Sequence, residues 1–297
     1  MDRPIPAVPG VDVEHRFVDA RGVRFHVAVA GPQDGEPLLI VHGWPQNWFT
    51  WRKVLPQLSQ TYRCYVPDLR GMGWSGVPQT GYDKENLASD MLALMDALGL
   101  KRVKLLAHDW GAYSGYLMTL REPERFERFV ALNMPTPWAK DPSLLHTVLS
   151  AWRLFYQVVL ATRLGSRIVA DERRMAKAIR AGTVHTDAFS DADLAQFTGP
   201  LAEPGRRIAT REIYRTFQRQ ELPGLLRGRY ADAVLRVPTL LIYGEQDSVV
   251  TGRIIDHAVR PGDPMEVVRV PDSGHFVADE RPDVVAERAL AFFAGTA

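Results

Sequence analysis

Ala107-His108-Asp109-Trp110-Gly111 follows an apolar run, residues 103–106, and precedes a helix-like stretch, residues 112–120. Small-x-nucleophile-x-small between a strand and a helix is the pattern of a turn so tight that its central side chain stands exposed. That centre is usually Ser; here it is Asp109. A Ser that displaces a leaving group from saturated carbon ends as an ether, which an imidazole-activated water does not readily open. A carboxylate ends as an ester, whose carbonyl water can attack. Asp at this turn therefore implies substitution at sp3 carbon, such as epoxide opening or dehalogenation, rather than ester hydrolysis. The structural alternative is that Asp109 only caps the following helix, since Asp is a favoured N-cap residue.

The 297 residues are 46% hydrophobic and 24% charged, with a formal charge of +1. That is the composition of an ordinary globular protein with a substantial core, and it offers no electrostatic case for nucleic acid or a membrane surface as partner. Cys64 is the only cysteine, which excludes an intrachain disulfide, and it reads as a small buried apolar residue. The opening residues, MDRPIPAVPG, lack the apolar stretch of a signal peptide, and no run is long enough to span a bilayer. A cytoplasmic enzyme is the expectation.

Residues 13–30 read as a half-solvated hairpin turning at Arg21-Gly22. Residues 37–41, 62–66, 103–106 and 129–133 are apolar strands, and 239–243 and 266–270 read as two more buried ones. Leu87, Met91, Leu94, Met95 and Leu98 recur at helical spacing and Gly99 stops that helix; residues 284–293 form the last one. Strands alternating with helices imply a mainly parallel sheet covered on both faces. Residues 135–232 differ, showing helical periodicity, a capping box at Ser190 to Asp193 and a long helix over 203–222. Their 15 Lys and Arg against 10 Asp and Glu fit a solvated outer face. The expected organisation is an α/β core in residues 1–134 and 233–297, with an inserted all-helical lid, 135–232, over the strand ends.

HGWP (42–45), DLRGMGWS (68–75), AHDWG (107–111), YGEQD (243–247) and SGHF (273–276), in this order and each at a strand end, resemble the α/β-hydrolase superfamily over essentially the full length. Within it the chain is most similar to epoxide hydrolases. The resemblance implies an α/β-hydrolase fold with Asp109 as nucleophile, His275 as base and Asp247 as the acid that orients it. Glu245 is the competing acid. Backbone N–H groups of Trp44 and Trp110 would form the oxyanion hole, and His42 would be structural. Trp44, Trp48 and Trp110 are expected to line an apolar substrate pocket, with Phe49 and Trp51 nearby.

Epoxide hydrolases of this fold protonate the departing oxygen with two lid tyrosines. Tyr156, in Leu154-Phe155-Tyr156-Gln157, and Tyr214, in Ile213-Tyr214-Arg215, resemble those positions, although Gly165 falls about one residue out of register. Tyr230 matches neither stretch, and whether it replaces one of the pair stays open; Tyr113 and Tyr116 read as core. The implied reaction opens a small apolar epoxide to a vicinal diol through an Asp109 ester, with neither metal nor organic cofactor, in a monomer or homodimer. The alternatives are a haloalkane-type dehalogenase on the same Asp–His–Asp core, a non-catalytic small-molecule-binding homologue, and an ester or lactone hydrolase, which the missing Ser opposes.

Overall fold

The apolar runs pair into one eight-stranded sheet in a computed structural model that describes residues 3–139 and 155–296. The strands are β1 (Val13–Ala20), β2 (Val23–Ala30), β3 (Glu36–Val41), β4 (Tyr62–Pro67), β5 (Val103–His108), β6 (Phe126–Leu132), β7 (Thr239–Gly244) and β8 (Met265–Val270). Their spatial order is β1-β2-β4-β3-β5-β6-β7-β8. β1 and β2 run antiparallel, as do β2 and β4, and every later pair is parallel. In the central strands consecutive residues serve opposite faces: Leu39 and Leu105 join one buried cluster, Leu38, Ile40 and Leu106 the other. Both faces are covered, so these strands are apolar throughout.

Two expectations need correction. β2 is almost wholly buried, because it bonds to β4 on the side away from β1, and only β1 is half-solvated. β8 ends the sheet order and is mostly part-exposed, unlike the fully buried β7.

Helix α1 (Lys84–Ala97) is capped by the Asp83 side chain and is followed by Gly99 at φ +72°. Helix α2 (Trp110–Arg121) follows β5 directly. Between β6 and β7 the described residues form α3 (Phe155–Leu160), α4 (Arg163–Val169), α5 (Glu172–Ala181), α6 (Asp191–Leu201) and α7 (Pro204–Thr216), and α8 (Pro282–Ala294) closes the chain. The part of the expected insertion at 140–154, including Leu154, lies outside the described residues. Among the described residues, no helix is long and apolar enough to cross a membrane.

The capping box forms as expected: Ser190 Oγ accepts the Asp193 N–H, and the Asp193 carboxylate accepts the Ser190 N–H. The long helix over 203–222 does not run through. It ends at Thr216 and widens into a π turn, Phe217–Glu221, before a short helix, Leu222–Leu226. Pro223 has no N–H to give the carbonyl four residues back. Glu221 also turns inward, to Lys84 Nζ (3.0 Å), which lies 4.2 Å from the centre of the Trp110 ring.

Candidate active site

Asp109 sits at φ 50°, ψ −126°, where a residue with a side chain is strained by an amount on the order of 1–3 kcal/mol. Its side chain makes no N-cap hydrogen bond to α2, so helix capping does not account for it. The turn closes because its neighbours are small. A Cβ on Gly111 would lie 2.4 Å from the His42 carbonyl oxygen, and one on Gly43 would lie 2.3 Å from Asp109 Cβ.

The loop after β7 and the loop after β8 bring two further groups to this carboxylate. His275 Nε2 lies 3.6 Å from Asp109 Oδ2, and His275 Nδ1 donates to Asp247 Oδ2 at 2.8 Å. Asp247 is fixed in turn: Oδ1 accepts the Val249 and Val250 N–H groups at 2.7 and 3.0 Å. Burial disfavours every charge here, but the charges compensate one another. Burial lowers the His275 pKa, yet the flanking Asp247 and Asp109 carboxylates outweigh it and push the imidazole up to about 10. Burial raises both carboxylates, and His275 more than reverses this, holding Asp109 and Asp247 below the ordinary range. The Trp110 N–H also stabilises ionised Asp109. Glu245 is exposed.

The Trp44 N–H donates to Asp109 Oδ1 at 2.9 Å, from a loop held by a buried carboxylate: Asp68 accepts the Trp48 and Trp74 N–H groups, each at 2.8 Å. His42 belongs to the same scaffold. Its Nδ1 donates to Gly43 O (2.8 Å) and its Nε2 accepts the Leu69 N–H (3.0 Å), which requires a neutral ring. Burial lowers its pKa accordingly.

A cavity of about 610 Å³ opens over Asp109 and His275 and is bordered by Trp44, Tyr156, Tyr214 and Phe276. A second, of about 360 Å³, lies across Asp109 and Tyr156 and is bordered by Trp110, Tyr113 and Tyr230. Tyr156, on α3, and Tyr214, on α7, meet edge to face with ring centroids 6.1 Å apart. Burial raises the pKa of both phenols well above the ordinary tyrosine value.

A family model for the α/β-hydrolase fold matches residues 36–282. The chain belongs to the α/β-hydrolase family. Relatives of this α/β hydrolase include the soluble epoxide hydrolase of Corynebacterium sp. (strain C12), 30% identical over 95% of this chain and 98% of the relative. Epoxide hydrolase 2 of Caenorhabditis elegans is 26% identical, with 91% of this chain and 77% of the relative covered. The crystal structure of epoxide hydrolase VrEH1 from Vigna radiata superposes with a TM-score of 0.81 at 25% identity, covering 95% of this chain and 98% of that one.

Not every residue expected at the hydrolase's site lies there. Trp48 borders neither cavity: its ring is fully buried against His15, His26 and Phe49, because the loop after Trp44 turns away from Asp109 once the Trp48 N–H is anchored on Asp68. Phe49 and Trp51 fill the same core. Tyr230 gives its hydroxyl to Glu85, away from the larger cavity. Tyr116 is core, whereas Tyr113 borders the second cavity.

Two polar residues at the site escaped sequence reasoning. Asn133, at φ 47°, donates from Nδ2 to Asp247 Oδ2 (2.8 Å) and Gly274 O (3.2 Å), joining Asp247 to the His275 loop. His108 donates from Nε2 to the His275 carbonyl (2.9 Å); burial and the nearby His275 charge push its pKa down to about 4, so it stays neutral. The available signal was position: each is a polar residue at the C-terminal end of an apolar strand.

Proposed function

We propose that the protein is an epoxide hydrolase working through an Asp109 ester, with residues 135–232 acting as the lid that carries Tyr156 and Tyr214. The observation that carries this reading is a carboxylate at the strained turn, beside the His275–Asp247 pair, sharing its cavity with two phenols that meet edge to face. An Asp109 oxygen attacks an oxirane carbon. The C–O bond breaks, its electron pair stays on oxygen, and that oxygen takes a proton from the tyrosine pair. Esterification removes the charge of Asp109, and with it one of the two carboxylates that keep His275 protonated. His275 then yields its proton to the tyrosinate and becomes the base for water. Water adds to the Asp109 carbonyl carbon, and the Trp44 and Trp110 N–H groups face the developing oxyanion. Collapse releases a vicinal diol and restores the carboxylate.

The cavity lining favours small apolar substrates: apart from Asp109 and His275, no described residue that borders the larger cavity is charged. Dehalogenation on the same core would need N–H donors for the halide. The Trp44 indole is committed to Thr210 Oγ1 (3.1 Å), which favours the epoxide. Single turnover of styrene oxide in heavy-oxygen water is expected to label the Asp109 peptide, and Asp109→Ala to lose diol formation at least about 10⁴-fold. Diol formation near the normal rate in that variant, or an unlabelled peptide in the wild type, would sink the proposal. So would bromide release from 1,2-dibromoethane outpacing epoxide turnover.

A further inference from the structure

The loop carrying His275 is fastened to the helical segment by one carboxylate. Glu280, only 9% exposed, accepts the Gly274 N–H on Oε1 at 2.9 Å. Its Oε2 accepts the Val184 and His185 N–H groups at 2.7 and 3.1 Å, from the loop after α5. The His275 N–H reaches the same loop, donating to Gly182 O at 2.8 Å. The two backbones touch directly: a Cβ on Gly274 would lie 2.4 Å from Gly182 O. Gly182, Ala181 and Ile179 border the larger cavity beside His275, whereas Glu280 borders neither cavity.

We infer that Glu280 is a positioning residue for His275: by clamping Gly274 to the 182–185 loop, it sets where the imidazole meets the Asp109 ester. This rests on the two-step reading above, and it assigns the effect of Glu280 to the second step. The groups used in the first step, Asp109, Tyr156 and Tyr214, have no hydrogen bond to Glu280. His275 is needed as a base only after the ester exists. Release of the Gly274 N–H loosens the backbone immediately before His275, leaving it on Asn133, Gly182 and His108, while Asp247 still holds Nδ1. The ring therefore moves about that anchor, and its Nε2 leaves the line to the attacking water. A displacement of about 1 Å at such a point costs on the order of 100-fold in rate.

The test is rapid-quench single turnover of styrene oxide by the full chain, reading ester formation and ester breakdown separately for Glu280→Ala, Glu280→Gln and Glu280→Asp. His275→Gln is the reference. Expected are ester formation at the wild-type rate and breakdown slowed about 10–100-fold in the Ala and Gln variants. Modified Asp109 peptide should accumulate in both, and Asp should recover part of the rate because it keeps a carboxylate. A merely structural role would lower both steps together, and that result overturns the inference. So does unchanged breakdown. If Glu280→Ala does not fold, the Gln and Asp pair decides. The reference separates the two failures. If His275→Gln accumulates no ester, the two-step reading falls and this inference with it; if it does and the Glu280 variants do not, only the positioning role falls.

Discussion

Asp109 and Asp247 share one imidazole, so the resting trio is a cation between two anions in a water-poor site. His275 is raised to about 10 from an ordinary value of 6.5, so its contribution to stability is fully present below pH 6.5 and fades as pH rises through about 10. The two depressed carboxylates contribute above their ordinary value and lose that contribution as pH falls through their folded values. Asp109→Asn removes one anion without changing size and imitates the charge of the ester. Nitrogen-15 NMR should find the His275 ring protonated at pH 8 in the wild type and titrating at least about one unit lower in the variant. An unchanged titration would mean that Asp109 does not hold the proton on His275. The three members of this trio were legible in the sequence through the resemblance that the AHDWG, YGEQD and SGHF stretches carry. Asn133, His108 and Glu280 were not, because what marks them is a hydrogen bond to another element, which no local pattern records.

At the scale of elements, strands and caps follow local rules. The runs at 103–106 and 239–243 are continuous because both sheet faces are covered, and Ser190 with Asp193 closes its box within four residues. The tight turn at Asp109 is as much a property of its glycines as of Asp109 itself. Gly111→Ala would drive a methyl group against the Val41 and His42 carbonyls, at 2.7 and 2.4 Å, which are main chain and have little freedom to yield. A loss of about 1–3 kcal/mol in urea unfolding is expected, with turnover falling further as Asp109 shifts. Wild-type stability and turnover in that variant would refute the packing account. The failure of the helix expected over 203–222 is equally physical. Helical periodicity continues past Thr216, but Pro223 and the pull of buried Lys84 on Glu221 widen the backbone there.

Across the whole molecule, the helical segment is held to the α/β core by buried charge. Arg52, 7% exposed, bridges Asp279 in the core and Asp193 at the start of α6 (2.8 Å). Gln46 and Thr50 complete the shell around Asp279 at 2.8 and 2.9 Å. Arg52→Ala would leave Asp279 buried without its cation and should cost about 3–5 kcal/mol. Arg52→Ala with Asp279→Asn should recover much of that loss, because the stranded charge is gone. Chemical denaturation of both variants checks this, and equal losses would mean that lost packing rather than stranded charge is responsible. Residue order alone determined the fold and set Asp rather than Ser at the tight turn, because strand periodicity and turn composition act over a few residues. Only the tertiary structure decided which tryptophans face the cavities, which tyrosine turns to Glu85, and which carboxylate fastens the His275 loop. Those outcomes depend on segments far apart in sequence, 145 residues for Tyr230 and Glu85 and 96 for Glu280 and Val184, competing for the same space and the same hydrogen bonds.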